Sequence, residues 1–181
     1  MKFTKYLLVL ILNTIVLTSQ AKDIVVGTIE HGVTANNICP TLEDGDTLTV
    51  RSAGGSVPEA RKLVACLRKK DVTVRIKAAY SAATFIVLGS NRVCLYPQAR
   101  VGFHSPHSID GGGDRVTLGV NELRRYFAMI GQDMLRQGYS TEDTLFIIGL
   151  TFMTPSTKMS VIPNGILTNM LKGRFVGVCN A

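Results

Sequence analysis

Residues 78–90, AAYSAATFIVLGS, set one hydroxyl, Ser81, between a strand-like run and a segment that is apolar on nearly every side. Upstream, Val72 to Ala78 (VTVRIKA) alternates as a half-buried strand does, with Lys77 pointing away from the apolar face. From Ser81 to Leu88 no polar face is left for water, so the spacing predicts a short helix buried inside the fold. A strand running into the head of a buried helix is the joint of a layered α/β domain. Ser81 then has two readings: the cap of that helix, a place serine favours, or a nucleophile.

Working outward, the same alternation of short apolar runs and helical periodicity continues in both directions, without repeats or linkers. Ile24 to Ile29 and Thr47 to Arg51 read as strands, with a short helix from Val33 to Leu42 broken by Pro40 between them. The turn Ser52-Ala53-Gly54-Gly55-Ser56 leads into a helix over Pro58 to Lys69, with proline near the first helical position, where it does least harm. Short strands are expected at Arg92 to Leu95 and Arg100 to Phe103, separated by Tyr96-Pro97-Gln98. Ser108 to Asp114, with three consecutive glycines, reads as a mobile loop before a long helix from Val116 to Gln137 that stops at Gly138. Ser140 caps a helix over Thr141 to Met153, Pro163 to Leu171 forms another, and Arg174 to Val178 closes the chain as a strand.

The first residues hold Lys2 and Lys5, an apolar run from Tyr6 to Leu17, and Ser19-Gln20-Ala21. A charged start, a short apolar middle and small residues before the cut describe a signal peptide, residues 1–21, and an exported, periplasmic mature chain. The run is too short and too interrupted for a comfortable membrane span, so none is expected in the mature chain. That chain, residues 22–181, is of a length for one domain. The leader carries two lysines and no acid, so the formal charge falls from +7 to +5. The excess is scattered over helix faces (Arg61, Lys62, Arg68, Lys69 and Lys70; Arg124 and Arg125) with no aromatic interleaving, which argues against nucleic acid. Cys39, Cys66, Cys94 and Cys179 all lie in the exported part, where disulfides are permitted. Their wide spacing disfavours a metal site and leaves the pairing open: two bridges, or one bridge and two buried thiols.

Three small features follow one another along this framework. A helix N-terminus behind Ser81 offers unpaired N–H groups, so the Ala82 amide would face a developing oxyanion. Gly54-Gly55 offers a second amide with no side chain in the way. His104, in ARVGFHSPHS, could take the serine proton and return it to a leaving group. Taken singly, each is more simply a cap, a turn and a structural histidine.

The blocks RSAGGSVPEARKLVACLRK, AYSAATFIVLGS and RVCLYPQARVGFHSP resemble the Clp protease proteolytic subunit and its relatives, in particular predicted periplasmic Clp-protease-like proteins. In that family a glycine-pair turn, a serine in a small-residue segment and a histidine after a P-N-(A/S)-R strand recur. Here Ser52-Ala53-Gly54-Gly55, Ala78 to Ala83, and Pro97-Gln98-Ala99-Arg100 followed by Val101 to His104 stand at those places. The likeness is clear from Leu48 to Pro106 and weaker beyond. It implies an α/β fold, a Clp/crotonase-like spiral of ββα units in a single domain after the signal peptide. It also implies a serine hydrolase acting on peptide or protein, with Ser81 as nucleophile, His104 as general base, and the Gly55 and Ala82 amides as oxyanion hole. No cofactor or metal is implied.

The family's third catalytic residue is an aspartate, and its register falls near Thr151, with no acid from Thr144 to Ala181. Asp143 is the nearest acid but suits the first turn of its helix, which leaves Thr151, Thr154 or a backbone carbonyl to accept the His104 N–H. His107 reads as surface decoration, His31 carries no role, and a Ser81–Lys77 dyad is disfavoured because a strand lysine is more simply exposed. The alternative to an enzyme is a catalytically weak or inactive binding or assembly module, with a homo-oligomer among the expected assemblies. Crotonase-type chemistry on acyl-coenzyme A shares the fold logic but fits an exported chain poorly.

Overall fold

The structure, a computed structural model, describes residues 21–180. The expected signal peptide therefore lies outside the described residues, apart from Ala21. The chain runs β1 (Asp23–Val26), α1 (Thr34–Ile38), β2 (Thr47–Ser52), α2 (Val57–Leu67), β3 (Thr73–Tyr80), α3 (Ala83–Gly89) and β4 (Val93–Phe103). There follow β5 (His107–Ile109), β6 (Arg115–Thr117), α4 (Val120–Arg136), α5 (Thr141–Met153), β7 (Ser160–Ile162), α6 (Asn164–Leu171) and β8 (Phe175–Val178).

A six-stranded sheet runs in the order β1-β2-β3-β4-β7, with β8 also paired to β4; β1 to β4 are parallel to one another, and α1, α2 and α3 lie in the crossovers that parallel pairing requires. The period of two is visible on β3: Val74 and Ile76 are buried, whereas Lys77 is exposed and its ammonium lies 4.9 Å from the Tyr96 ring centre. Facing Val74 and Ile76, α2 contributes Ala60, Leu63 and Leu67, and α3 buries all but Phe85 of its seven residues. A Cβ on Gly89 would come within 2.5 Å of Val64, so glycine is what lets these two helices touch.

Several expectations need correction. Arg92–Leu95 and Arg100–Phe103 are two ends of one strand, although the ladder to β3 jumps from Ile76↔Leu95 to Ala78↔Arg100, leaving the segment around Pro97 unpaired to it. Pro97 has no N–H to give a ladder, which is why the sequence reads as two pieces. The expected loop at Ser108 to Asp114 is instead a hairpin, β5 with β6, whose turn folds round Asp110: its carboxylate accepts from Gly112 and Asp114 N–H. The long helix accordingly starts at Val120, with Glu122 reaching back to the Gly119 N–H, and Val116 belongs to β6. The three-residue β7, antiparallel to the end of β4, is too short to show any alternation.

The cysteines form two bridges, Cys39–Cys66 and Cys94–Cys179. The first ties the turn after α1 to α2, and the second ties β4 to the chain end beside β8. Removing Cys94–Cys179 by paired alanine substitution is expected to destabilise by about 1 kcal/mol more than removing Cys39–Cys66. Its partners are 85 residues apart rather than 27, so it restricts the unfolded chain more. Urea unfolding of the two paired variants measures the difference.

Candidate active site

Because β2, β3 and β4 are parallel neighbours, their carboxyl ends emerge on one edge of the sheet, where ligands of open α/β sheets bind. The glycine turn leaves β2 there, Ser81 leaves β3, and His104 leaves β4.

Ser81 has φ 54, a left-handed conformation that costs an L-residue about 1–2 kcal/mol. Three bonds hold it: its N–H donates to Gly102 O on β4 (3.0 Å), and its carbonyl accepts from the Thr84 N–H (3.0 Å) and hydroxyl (2.7 Å). The helix starts only at Ala83, after Ala82 as cap residue, and has no side-chain cap. The Ser81 hydroxyl is thus not spent on capping, and among the described residues it has no hydrogen bond. This removes the cap reading and leaves a free alcohol on a strained turn.

The glycine pair is pressed against that turn. Gly54 and Gly55 have φ 107 and 135, and a Cβ on Gly54 would sit 2.7 Å from both Ser81 Cβ and Tyr80 O. A Cβ on Gly55 would sit 2.2 Å from Ile29 O, because Ile29 clasps the turn by donating to Gly54 O (2.9 Å) and accepting from Ser56 N–H (2.8 Å). Glu59, fully buried on α2, anchors the next stretch by accepting from Gly32 and Ala35 N–H, each 3.0 Å. Burial pushes its carboxyl up, but those two N–H groups and the Lys62 ammonium together hold it below its ordinary value.

His104 is buried, and its Nδ1 lies 2.7 Å from Ser105 O. A carbonyl only accepts, so Nδ1 carries the proton and Nε2 keeps its lone pair. Ser105 is itself pinned to the C-terminal end of α5: its N–H donates to Thr154 O (2.7 Å), and its hydroxyl lies 3.0 and 3.1 Å from Thr151 O and Phe152 O. Where the resemblance implies an aspartate, Thr151 is buried and donates its hydroxyl to Ile147 O. Thr154 is likewise engaged, with Leu150 O and Ser160 Oγ. Asp143 accepts from the Ser140 hydroxyl at the opposite end of α5, roughly 12 Å along the helix axis from Thr151. Of the alternatives the sequence left open, the backbone carbonyl is the one in contact with the imidazole.

Ser81 and His104 wall two connected spaces. One is an open cleft of about 340 Å³ with Ala53, Gly55, His107, Arg115 and Tyr126. The other is a narrow slot of about 30 Å³ between Phe85, Leu88, Ile130, Met134 and Ile147. No hydrogen bond joins the Ser81 hydroxyl to the imidazole directly; both face the shared cleft. Tyr126 borders both spaces, and burial pushes its phenol well above the ordinary value.

His107 is not surface decoration. Its ring lies 5.4 Å from that of His104, centre to centre, and lines the cleft. Burial, and then the charges of Arg115 and His104, lower its pKa. Sequence reading missed His107 and Arg115 because the hairpin carrying them looked like a glycine-rich loop. Tyr126 was findable, since Tyr126, Ile130 and Met134 recur every four residues on α4. Lys77 borders a separate hollow with Arg51, Tyr96 and Gln98, so no serine–lysine dyad forms with Ser81. His31 is exposed, 3.3 Å from the Ser56 hydroxyl.

No protein-family model matches this sequence, and no curated protein sequence matches it. Solved structures do. One is a "1510-N membrane-bound stomatin-specific protease" as a serine-to-alanine mutant, with TM-score 0.62 and 15% identity, covering 89% of this chain and 79% of its own. Another is the same protease as a lysine-to-alanine mutant in complex with a substrate peptide, with TM-score 0.62 and 14% identity, covering 91% and 78%. At such identity the likeness establishes the fold, a mixed α/β domain of the Clp/crotonase type.

The crowding at the glycine pair is measurable. Gly54→Ala and Gly55→Ala are each expected to lower stability by more than Gly45→Ala does, by about 1–3 kcal/mol. Gly45 also has positive φ (87) but open space around it, so it isolates the dihedral cost from the clash. Thermal unfolding of the three variants gives the comparison.

Proposed function

We propose that this chain is an exported serine hydrolase that cleaves peptides. Ser81 Oγ attacks the scissile carbonyl while His104 Nε2 takes its proton. The Gly55 and Ala82 N–H groups receive the oxyanion, and the imidazolium then protonates the leaving amine. Water repeats the sequence to release the acyl group from Ser81. The observation that carries this reading is a free serine hydroxyl, held left-handed at a strand-to-helix turn, facing the same cleft as an imidazole whose tautomer is set by Ser105 O. No lysine lines the cleft, so the general-base role falls to His104. The Ser105 carbonyl orients the ring as an aspartate would but carries no full charge to stabilise the imidazolium, which places the rate below that of a complete triad. The slot, apolar but only about 30 Å³, suits no more than a small apolar group beside the scissile bond. That a protease of this fold was solved with a substrate peptide supports the choice of substrate class.

Export is supported by the two disulfides, which belong to an oxidising compartment, and by the leader-like start of the sequence. A second reading, an assembly module, is favoured by one observation: α5 exposes Leu145 (61%), Phe152 (63%) and Met153 (81%), an uncommon display for a monomer. Protein recovered from outside the cytoplasm is expected to begin at Lys22 by mass spectrometry. Its sedimentation as a clean monomer would end the assembly reading.

The enzyme reading has a direct test. A fluorophosphonate probe is expected to label the folded protein, Ser81→Ala to abolish labelling, and His104→Ala to slow it by about 10²-fold or more. Absence of labelling of folded protein anywhere between about pH 6 and 9 removes it.

A further inference from the structure

The open cleft has a one-sided charge. Among the described residues Arg115 is the one Lys, Arg, Asp or Glu that lines it, and the other polar side chains on its walls are Ser81, His104, His107 and Tyr126. Asp110, at the hairpin turn, is engaged by N–H groups of that turn. The hairpin register explains how the wall is built. His107, Ile109 and Arg115 share one face, since Ile109 pairs with Arg115 across the strands and His107 lies two residues before Ile109. The guanidinium is held in place by one N–H donated to Ser156 O (2.6 Å), which leaves further donors of its fork uncommitted. Beside it, the His107 ring lines the same cleft, 5.4 Å from the His104 ring centre to centre.

We propose that this cleft selects substrates carrying a carboxylate near the scissile bond, bound by Arg115 with His107 beside it. A carboxylate matches the fork of a pre-positioned guanidinium, and a cleft wall without acids offers it no repulsion. The carboxylate is either an acidic side chain or the free C-terminus of a short peptide. The proposal rests on the hydrolase reading of the same cleft, so its test needs no catalysis.

Ser81→Ala protein is titrated with matched pentapeptides around a central leucine, bearing Glu or Gln at each other position, each as C-terminal acid and C-terminal amide. The expected result is about tenfold tighter binding of one Glu peptide over its Gln match, which assigns the acidic side chain, or of acid over amide, which assigns the chain end. Adding Arg115→Ala should erase that preference and Arg115→Lys should retain part of it, the lysine variant guarding against mere loss of the hairpin. Equal affinity across the set, or a preference that survives Arg115→Ala, overturns the proposal. Ser81 labelling in the parent protein separates the two readings: labelling without charge preference sinks only this one, and preference without labelling sinks only the hydrolase.

Discussion

The parallel pairing of β3 with β4, and the one hydrogen bond that extends it past the last strand residue, set everything else at the site. Tyr80 is in register with Gly102, and the Ser81 N–H then reaches the Gly102 carbonyl. That bond holds the backbone of Ser81 to β4 while the chain must turn into α3, and the left-handed φ is how both conditions are met. Two residues beyond Gly102, just past the end of the same strand, stands His104, so the register that strains the serine also brings the imidazole alongside. The strain is offset by what surrounds it: Thr84 bonds twice to the Ser81 carbonyl, and α3 is anchored at its other end. There the Leu88 carbonyl accepts from the Tyr139 hydroxyl (2.9 Å) and from Arg174 (2.7 Å). Burial pushes the Tyr139 phenol up to about 12 against the opposing pull of Arg174, so it remains a donor.

Orientation of the imidazole is solved without an acid. The carboxylate of a triad fixes a tautomer and answers a developing positive charge. Here the first task goes to Ser105 O, and Ser105 is rigid because its N–H and hydroxyl both lie against carbonyls at the end of α5. Those carbonyls form the negative pole of a 13-residue helix, a partial charge of about half a unit that acts on the second task, though only weakly. A neutral carbonyl is also indifferent to pH, so the tautomer is held across a range in which a carboxylate would titrate.

What the sequence disclosed and what it withheld divide along a physical line. The β2-α2-β3-α3-β4 half was legible because its period-two strands and apolar helix are local signals, and its glycine turn is forced by positive φ at Gly54 and Gly55. The half that completes the cleft was not. The hairpin β5–β6 is pinned by cross-strand bonds and by an aspartate turn, features that read as loop composition, and so His107 and Arg115 went unnoticed as cleft residues. The disulfide pairing is a tertiary fact: nothing near Cys94 in sequence points to Cys179. The His104 acceptor is its own neighbour, Ser105, but what fixes that carbonyl is tertiary too, the bonds of Ser105 to the end of α5.

That division also describes how work is shared in the molecule. Ser81 and His104 stand at the ends of sheet strands, where neighbouring strands and two buried helices leave them little freedom. The charged wall stands on a short two-stranded hairpin outside that sheet, joined back to the domain through the Arg115 bond to Ser156 O and the stacking of His107 near His104. A connecting segment of this kind can vary without disturbing the strained turn on the rigid scaffold. Next to that wall His107 is partly buried, and burial, then the charges of Arg115 and His104, lower its pKa against the opposing pull of the Ser105 backbone. A ring that gives up its proton more readily places less positive charge beside His104, so the hairpin and the imidazole at the end of β4 are linked through charge as well as contact.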